Sequence, residues 1–255
     1  MIDIHNHIFI DVDDGPSTKE DMINLIKQGK EEGVTDIIAT PHHLSPTFDN
    51  TYSIVEQKLN EIQEMDEFKE LNVNLYPGQE IRINDQIIPQ LESGEAIGLN
   101  KSKYLLIELP SGRVPHYTSR LFFELQSKGY VPIIAHPERN KEISQDLDVL
   151  FDLINGGALS QLTSASLKGV HGKKIQKISL QMLENNLVHF IASDAHHNVN
   201  RPFIMKSLFE DKKLNKYAEE IKKLIDNANV IINNDDLAKK QPTQEYKSKK
   251  FLGLF

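Results

Sequence analysis

Short apolar runs recur along the chain, and the stretches between them carry apolar residues at helical spacing. Each run is four or five residues long, a length typical of strands that are buried on both faces of a parallel sheet. The intervening stretches place apolar residues three or four positions apart, as amphipathic helices do. The pattern therefore predicts seven strands that alternate with helices. The predicted strands cover residues 1–4, 35–39, 73–76, 104–108, 131–135, 158–162 and 188–192.

Local signals predict where the helices begin and end. Residues 17–20 read Ser-Thr-Lys-Glu, which is a capping box, so the first helix is predicted to begin at Ser17 and to end near Gly33. Helical spacing predicts a second helix over 52–71 and a long amphipathic helix over 205–225. The remaining helices are predicted over 117–128, 148–154 and 173–185.

Alternating strands and helices predict one large α/β domain. A chain of 255 residues can bury a full core, and a single barrel of this length is common. A β/α barrel is the closed form of this pattern, and its functional groups lie at the carboxyl ends of its strands. We expect the barrel to span residues 1–230 and residues 231–255 to form a C-terminal extension.

Residues that commonly bind metals follow six of the seven predicted strands. His5 and His7 end the first strand at spacing i, i+2, and an extended backbone directs alternate side chains to the same side. Because all strands of a barrel end at one face, we expect these residues to share a site. The sixth strand is the exception, since Gln161, Thr163 and Ser164 are interpreted as a polar rim. The candidate metal ligands are His5, His7, Asp14, His42, Glu80, Glu108, His136, Asp194 and His196.

Composition narrows the chemistry of this site. The chain has no cysteine, which excludes disulfides, thiolate zinc sites and a cysteine nucleophile. Nitrogen and oxygen ligands without sulfur suit Mn, Fe or Zn, and the carboxylates favour the harder ions. Catalytic metal sites commonly use about three protein ligands, so nine candidates suit two or three ions. Glu80 is the expected bridge because a carboxylate has two oxygens.

Charge and hydropathy exclude several classes of partner. The net charge of −8 argues against a nucleic-acid partner, because broad nucleic-acid surfaces rely on many Lys and Arg residues. No apolar run approaches the ~20 residues that a bilayer requires, and Met1 leads directly into a predicted strand. We therefore expect neither stable membrane insertion nor a signal peptide, and a cytoplasmic location.

The chain contains six short motifs, namely Asp-x-His-x-His, Asp-Asp-Gly-Pro, Ala-Thr-Pro-His-His, Gly-Gln-Glu, Ala-His-Pro-Glu-Arg and Ser-Asp-Ala-His. Together they resemble the polymerase-and-histidinol-phosphatase (PHP) superfamily. Within it, they resemble the CpsB/CapC-like, manganese-dependent protein tyrosine phosphatases that are encoded with capsule and exopolysaccharide genes in Gram-positive bacteria. The resemblance covers nearly the whole chain. One departure is the sequence Ile-Phe-Ile-Asp-Val at 8–12, where such proteins usually carry Leu-Pro-Gly.

The resemblance implies a distorted (βα)7 barrel that holds three divalent ions. Manganese is the expected ion, with Fe, Zn or Mg as alternatives. The ligand sets that the resemblance implies are His5, His7, Glu80 and Asp194 for one ion, Glu80, Glu108 and His136 for the second, and Asp14, His42 and His196 for the third.

The charge of such a site predicts a phosphate substrate. Three divalent ions contribute six positive charges and four carboxylates remove four, before Arg139 and Arg201 add one each. Arginine suits a dianionic phosphate monoester because its planar fork binds two oxygens at once. The structural alternative for both arginines is a surface salt bridge, with Glu138 or Glu142 as the partner of Arg139.

The missing thiolate also decides the expected mechanism. The expected nucleophile is a water or hydroxide whose pKa the cations lower. The general acid stays open among His42, His196 and a metal-bound water. Tyrosinate leaves with a conjugate-acid pKa of ~10 and needs little protonation. A site without an evident general acid should therefore prefer phosphotyrosine to phosphoserine.

Three functions from different classes fit these residues. The first is a protein tyrosine phosphatase that regulates capsular or exopolysaccharide biosynthesis. Its partner, which the resemblance implies, is a membrane-associated bacterial tyrosine kinase with a tyrosine-rich tail. The second is a PHP-type phosphoesterase such as a histidinol-phosphate phosphatase or a nuclease. The third is a metal-binding regulatory module, which would leave the complete ligand set and Arg139 unused.

The last segment differs from the rest of the chain. Residues 230–232 are expected to pack against the barrel, whereas Lys239, Lys240 and 247–250 are basic and 251–255 are apolar. We expect either a mobile tail or a segment that docks on a neighbouring subunit or near an anionic membrane surface. Homo-oligomerisation and a peripheral position at the membrane, through the kinase, therefore stay open.

Five further histidines are not candidate ligands. His43 and His197 stand next to candidates and are expected behind the ligands or facing solvent. No motif includes the others, which are interpreted as structural: His116, His171 and His189.

Overall fold

The computed structural model describes residues 1–246 as a mixed α/β molecule with two parallel sheets. A three-stranded sheet has the order β1-β2-β4, and a six-stranded sheet has the order β3-β5-β6-β7-β8-β9. The strands are β1 Ile2–Asp3, β2 Asp36–Ala39, β3 His42–His43, β4 Asn74–Pro77, β5 Glu80–Arg82, β6 Tyr104–Glu108, β7 Val131–Ala135, β8 Leu159–Thr163 and β9 Phe190–Ala192.

Helices separate most of the strands, as the spacing of apolar residues predicts. The described α-helices are α1 Lys19–Glu31, α2 Tyr52–Gln63, α3 Asp66–Lys69, α4 Ile87–Ser93, α5 Thr118–Ser127, α6 Lys141–Gln145, α7 Leu147–Asn155, α8 Ser164–Lys168, α9 Lys173–Glu184, α10 Ala218–Asp226 and α11 Asn229–Asn233. Within residues 1–246, no helix combines the length and apolar character that crossing a membrane requires.

Alternate residues of the strands pack into two different hydrophobic clusters. In β6, Leu105 and Ile107 join an outer cluster with the apolar faces of α1, α2, α5, α7 and α9, whereas Tyr104 and Leu106 join an inner cluster. Side chains of successive strand residues leave opposite faces, so both faces of these sheets are buried. The inner cluster comprises Ile4, Ile38, Leu99, Tyr104, Leu106, Ile133, Ala135, Leu159, Phe190, Ala192, Ala228 and Ile231.

Two predicted strands are interrupted and then resume. The chain leaves β2 at Thr40 and Pro41, and Pro41 cannot donate a ladder hydrogen bond, before β3 begins at His42. Likewise β4 ends before Gly78, where an added Cβ would lie 2.8 Å from Cγ2 of Ile38. Pairing then resumes between His42 and Glu80. These breaks place the first residues of β3 and β5 together.

The segments that follow β1 and β9 lie side by side and connect the outermost strands of the two sheets. The Asp194 N–H donates to the His5 carbonyl at 2.8 Å, and the His7 N–H donates to the Ala195 carbonyl at 2.8 Å. Asn6 and Ala195 form a parallel bridge. The segments that follow the first and last strands are therefore adjacent.

Two helix predictions need correction in their bounds. Helix α1 begins at Lys19, two residues after the predicted Ser17, because Thr18 is the N-cap and its Oγ1 accepts from the Asp21 N–H at 3.1 Å. The helix predicted over 52–71 divides into α2 and α3, and Met65 between them has an extended backbone with ψ of 128°.

The long helix predicted over 205–225 is wrong in its first half. Within the predicted range only the second half is α-helical, as α10, whereas 206–208 and 215–217 before it are single 3₁₀ turns. The carboxylate of Glu32, at the end of α1, accepts from the N–H groups of Met205 and Ser207 at 2.8 and 2.9 Å. Asp211 accepts from the Lys213 N–H at 2.9 Å. These side-chain acceptors stabilise turns in place of a continuous helix.

The C-terminal helices close the amino ends of the strands. Ile231 of α11 is fully buried in the inner cluster, with Val230 and Ile232 packed against it, so the expected packing of 230–232 is confirmed. The Tyr104 hydroxyl donates to the Asp235 carbonyl at 2.7 Å. Lys240 pairs with Glu220 of α10 at 2.9 Å, and Lys239 donates to the Gly157 carbonyl at 3.4 Å. The predicted basic and apolar tail at 247–255 lies outside the described residues.

Candidate metal and phosphate site

The nine predicted ligands are together at the carboxyl ends of the strands. Among the described residues, three overlapping groups have ligand atoms that all lie within 4.8 Å of one another. Two predicted ligands, His136 and Asp194, are outside these groups but contact them. The groups are His7, Asp14, His42 and His196; His5, His7 and Glu80; and His42, Glu80 and Glu108.

Glu80 lies at the centre of the cluster. Its Oε1 is 2.9 Å from Nε2 of His136 and 3.3 Å from Nε2 of His5. Its Oε2 is 2.9 Å from Nδ1 of His42 and 3.4 Å from Nε2 of His7. Glu80 is the first residue of β5, and its side chain is fully buried. One buried carboxylate therefore contacts four imidazoles.

Asp194 connects the histidines to two arginines. Its Oδ1 lies 3.4 Å from Nε2 of His5 and 3.6 Å from Nε2 of His7. Its Oδ2 lies 2.6 Å from Nη1 of Arg139 and 2.9 Å from Nη2 of Arg201. Both predicted phosphate-binding arginines therefore converge on one oxygen at the edge of the cluster.

Asp14 forms a second contact between the cluster and Arg201. Its Oδ1 lies 3.1 Å from Nε2 of His196 and 3.5 Å from Nε2 of His42. Its Oδ2 lies 3.4 Å from Nη1 of Arg201. The Asp14 side chain is 46% exposed, compared with 2% for Asp194, so this part of the cluster opens to solvent.

Strained backbone places two of these side chains. His136 has φ of 32° and ψ of 56°, and Asp194 has φ of 53°. Residues other than glycine adopt positive φ rarely and at an energetic cost. In β7 the preceding inner residue is Ala135, so regular alternation would direct His136 outward. The left-handed turn instead lets it contact Glu80.

Glu108 is held by an arginine that the sequence patterns do not single out. Nη1 of Arg82 lies 2.7 Å from Oε2 of Glu108. Arg82 stands two residues after Glu80 in β5, and its register partner is Glu108 in β6. Spacing of two within a strand is the signal that places both on one face.

Burial and charge shift the pKa values of the carboxylates in opposite directions. For Asp194, burial alone would raise the pKa, but Arg139, His5 and His196 hold it well below its usual range. Burial would also raise the pKa of Glu80, yet the charge of His5 and hydrogen bonds to neighbouring imidazoles keep it low. Burial raises the pKa of Glu108, and the charge of Glu80 raises it further.

The imidazoles divide into two classes. Burial would lower the pKa of His7 and of His42, but Asp13 raises that of His7 to about 9, and the nearby carboxylates of Asp14 and Glu80 raise that of His42 to about 11. Burial lowers the pKa values of His136 and His196 to about 4, helped by the charges of Arg139 and His7 respectively. The carboxylates thus attract positive charge, either as protons on imidazoles or as a bound cation.

The donor set fits divalent cations. Three buried atoms at the centre have no hydrogen-bond partner, namely Nδ1 of His42, Oε2 of Glu80 and Nε2 of His196. Buried polar atoms are normally paired, whereas here Nδ1 of His42 faces Oε2 of Glu80 at 2.9 Å and Nε2 of His196 faces Oδ1 of Asp14 at 3.1 Å without a hydrogen bond. Imidazole nitrogens and carboxylate oxygens without sulfur are the donors that Mn, Fe and Zn accept.

Residues behind the ligands orient them, and sequence reasoning missed two of these. Oδ2 of Asp13 lies 2.7 Å from Nδ1 of His7 and accepts from the His42 N–H at 3.1 Å. Oε1 of Gln161 lies 2.8 Å from Nδ1 of His5. Gln161 is fully buried, so its interpretation as a rim residue is wrong. Its position two residues after the inner residue Leu159 is the signal that could have found it.

Asp3 fixes the backbone beneath the cluster. Its carboxylate accepts from the Ser193 N–H at 2.7 Å, the Ser193 hydroxyl at 2.9 Å and Nδ2 of Asn6 at 2.8 Å. Asp3 is fully buried. The first residue of the Asp-x-His-x-His motif therefore joins β1 to the segment after β9.

The salt-bridge alternative for Arg139 is not what the structure has. Arg139 pairs with Asp194, whereas Glu138 accepts from the Thr163 N–H at 3.1 Å and the Ser166 hydroxyl at 2.7 Å. Glu142 accepts from the Val114 N–H at 2.7 Å. Arg201 also pairs with two members of the cluster, the buried Asp194 and the exposed Asp14.

The remaining histidines lie outside the cluster. His43 is fully buried, with Nε2 at 2.6 Å from Oε1 of Gln90, so it does not face solvent. Nδ1 of His197 accepts from the Val199 N–H at 3.1 Å. His189 is buried, and its Nδ1 accepts from the Ser160 N–H at 3.2 Å. His171 lines a small cavity beside the cluster, and His116 contacts the ring of Tyr117.

A cavity of about 230 Å³ opens beside His136 and Arg139. Arg139 forms part of its wall, and the Arg139 side chain is 26% exposed. Such a space accommodates a small anion at the guanidinium. The lining residues are Glu108, Leu109, Ser111, Ala135, His136, Arg139 and Asn140.

Known proteins are similar to this chain in sequence and fold. CapC of Staphylococcus aureus is 56% identical over 254 residues, 100% of both chains. Tyrosine-protein phosphatase YwqE of Bacillus subtilis is 38% identical over 257 residues, again 100% of both. A solved structure from work on YwqE of Bacillus subtilis and CpsB of Streptococcus pneumoniae, described as unique metal-dependent tyrosine phosphatases, matches with a TM-score of 0.90 at 38% identity. It covers 96% of this chain and 100% of that one.

The match to a family model extends over most of the chain. The model for capsular polysaccharide synthesis, CpsB/CapC, matches residues 1–233. This range includes every residue of the cluster, from His5 to Arg201. The chain therefore belongs to the CpsB/CapC family of capsular polysaccharide synthesis.

Proposed function

We propose that this chain is a metal-dependent protein tyrosine phosphatase of capsular or exopolysaccharide synthesis. The observation that carries the proposal is the convergence of Arg139 and Arg201 on Asp194, at the edge of a buried histidine and carboxylate cluster. Arginines suit phosphate oxygens, and a cluster of imidazoles and carboxylates suits divalent cations. YwqE, a relative over its full length, is named a tyrosine-protein phosphatase.

The proposed fold is a distorted (βα)7 barrel of the PHP type. Seven strands result when β2 is joined to β3 and β4 to β5 across their interruptions. The bridge between Asn6 and Ala195 supports closure of the barrel. The inner cluster supports it as well, because most of its residues come from strands, and among residues 1–246 α11 is the only α-helix that contributes a core residue to it. We assign the barrel to residues 1–230 and the C-terminal extension to 231–255.

Three divalent ions, manganese above all, are the proposed cofactors. Bound cations would supply Lewis-acid charge that polarises the phosphoryl group and lowers the pKa of water. His7 and His42 would have to give up their protons to become ligands. The proposed ligand sets are His5, His7, Glu80 and Asp194; Glu80, Glu108 and His136; and Asp14, His42 and His196.

The protein's own residues bind and orient the ester. Arg139 and Arg201 would bind the phosphoryl oxygens and stabilise the charge that develops on them. His42 and His196, the proposed proton donors to the leaving oxygen, are also proposed ligands, so each would donate only from the ring nitrogen that binds no ion. A buried imidazole with a pKa near 4, such as His196, holds a proton weakly at neutral pH. An aryl ester needs that proton least, which favours phosphotyrosine as the substrate.

The proposed partner is a membrane-associated bacterial tyrosine kinase whose tyrosine-rich tail is the substrate. A tail of this kind reaches a site at the strand ends, where Asp14 and Arg201 are partly exposed. The enzyme would then act in the cytoplasm and approach the membrane through its partner.

Phosphate release from matched substrates tests this function. Phosphotyrosine and phosphoserine peptides of one sequence, histidinol phosphate and single-stranded DNA would each be incubated with and without Mn. We expect the highest kcat/KM for the phosphotyrosine peptide, full loss after chelation and no effect of iodoacetamide. A clear preference for histidinol phosphate, or equal cleavage of DNA, would instead favour the second function. Full activity after exhaustive chelation would refute the metal assignment.

A further inference from the structure

One aromatic ring lies at the edge of the metal cluster and serves neither hydrophobic cluster. Phe48 is half-buried, and within residues 1–246 neither the outer nor the inner cluster includes it. Its ring is parallel to the ring of His42, with 6.0 Å between centroids and 6° between planes. An apolar side chain is thus kept beside a polar site.

The loop before Phe48 fixes the position of its backbone. Residues 45–48 read Ser-Pro-Thr-Phe, and the Ser45 N–H donates to the Phe48 carbonyl at 3.0 Å. The Phe48 N–H donates to Oγ of Ser45 at 2.8 Å. Pro46 restricts φ at the second position of this turn. The turn therefore needs no substrate in order to form.

The residues after Phe48 join the same loop to the cluster. Nδ2 of Asn50 donates to the His42 carbonyl at 2.8 Å and to the Val12 carbonyl at 2.9 Å. Oδ1 of Asp49 lies 3.0 Å from Nδ1 of His43. The residues before and after Phe48 are both fixed by these contacts, and they fix the position of Phe48 relative to His42.

Phe48 is connected to Arg201 through two side chains, His42 and Asp14. His42 and Arg201 contact different oxygens of Asp14, at 3.5 and 3.4 Å. The side chains of Asp14 and Arg201 are 46% and 35% exposed. A phosphoryl group at Arg201 would therefore have its ester substituent near the half-buried ring.

We propose that Phe48 is an aryl-binding subsite, whose ligand is the aromatic ring of an aryl phosphate monoester. The inference rests on the proposed phosphatase function, because Arg139 and Arg201 must hold the phosphoryl group. An aryl ester carries its ring directly on the ester oxygen, whereas phosphoserine offers only a methylene there. Paired aromatic rings attract each other beyond the burial of apolar area. Phe48 thus selects aryl esters by binding, separately from their better leaving group.

Binding measurements on three ligands test the subsite without turnover. Phe48→Leu keeps apolar volume and removes the ring, and Phe123→Leu is a control because Phe123 of α5 is 71% exposed. Calorimetry on the Mn-loaded proteins would use phenylphosphonate, methylphosphonate and inorganic phosphate. We expect Phe48→Leu to weaken phenylphosphonate binding about tenfold and to leave the other two ligands unchanged. The kcat/KM ratio of phosphotyrosine to phosphoserine peptides should fall by a similar factor.

A tryptophan at this position provides an independent readout. The chain has no tryptophan, so Phe48→Trp introduces a single indole fluorophore. Its emission should change when phenylphosphonate binds and stay constant with inorganic phosphate. This variant also keeps an aromatic ring, so it should retain phenylphosphonate affinity.

Three outcomes would overturn the subsite. Equal weakening of all three ligands in Phe48→Leu would mean that Phe48 only supports His42. Unchanged phenylphosphonate binding would mean that the ring does not contact the ligand. Failure of the unaltered protein to bind any of the three ligands, together with no release of phosphate from phosphotyrosine, would reject the proposed function itself and the subsite with it.

Discussion

The two ends of the strands differ in the partners of their polar groups. At the amino ends, the C-terminal segment supplies partners, since Asn234 accepts from the Lys103 N–H at 2.9 Å and Asn227 donates to the His189 carbonyl at 2.8 Å. At the carboxyl ends, atoms of His42 and Glu80 face one another without hydrogen bonds. Paired polar groups stabilise a fold, whereas unpaired ones cost free energy.

Burial of charge differs between the two ends in the same way. The carboxyl ends bury the carboxylates of Glu80 and Asp194, which desolvation opposes, whereas the amino ends bury Ile231 and Ala228 in the inner cluster. We infer that packing at the amino ends stabilises the fold, and that this stability keeps the charged cluster at the carboxyl ends in place. Substitutions at the two ends should therefore separate activity from stability.

The largest effect is expected when the centre of the cluster is removed. Glu80→Gln keeps the size of the side chain but removes the charge that four imidazoles contact. We expect kcat/KM on a phosphotyrosine peptide to fall by more than the roughly 100-fold typical of residues that only orient ligands, with loss of bound metal. Metal analysis beside kinetics measures both, with the exposed Glu67→Gln as control. Retention of metal and rate would show that Glu80 is not a ligand.

The opposite result is expected at the amino ends. Ile231→Ala removes a fully buried side chain from the inner cluster, so the free energy of unfolding should fall by about 2–5 kcal/mol. Urea unfolding measures this loss, and Val170→Ala, at a side chain that is 58% exposed, is the matched control. The folded fraction should keep its kcat/KM. A large loss of rate at full folding would mean that the two ends are coupled.

A smaller loss of activity is expected behind the ligands. Asp13→Ala removes the carboxylate that contacts His7 and the His42 N–H, and loss of such a partner typically costs roughly 10–100-fold in activity or metal affinity. Titration of metal into the apoprotein, followed by kinetics, measures both quantities. Asp152→Ala on the exposed side of α7 should change neither. An Asp13→Ala protein with unaltered metal affinity would contradict the orienting role.

The smallest effect concerns the pH dependence of stability. Burial, together with the charge of Lys239, lowers the pKa of His189 to about 3. Because the unfolded chain binds this proton near pH 6.5, the stabilising contribution is complete above that pH and is lost as pH falls toward 3. His189→Asn should therefore flatten the curve by at most about 1.4 kcal/mol per pH unit. Urea unfolding between about pH 6.5 and 4.5 checks this, with exposed His116→Asn as control. Parallel curves for the protein and His189→Asn would contradict it.

Local sequence determined the strands, most helices and the identity of the clustered residues. Alternation in β6 and β7 and the positions of His5, His7, Glu80 and Asp194 after apolar runs required no tertiary information, because strand periodicity and residue chemistry are local properties. The chain's membership in its family was likewise evident from six short motifs.

Tertiary structure alone decided which atoms meet. Gln161 contacts His5 across 156 residues, and Glu32 ends the predicted long helix by accepting from N–H groups more than 170 positions away. Such contacts depend on how separate elements pack, so no local pattern encodes them. The pairing of Arg139 with Asp194 rather than Glu138 has the same origin. Glu138 is the charged neighbour of Arg139 in the sequence, but the positive φ at His136 and Asp194 turns the backbone so that Arg139 contacts Asp194.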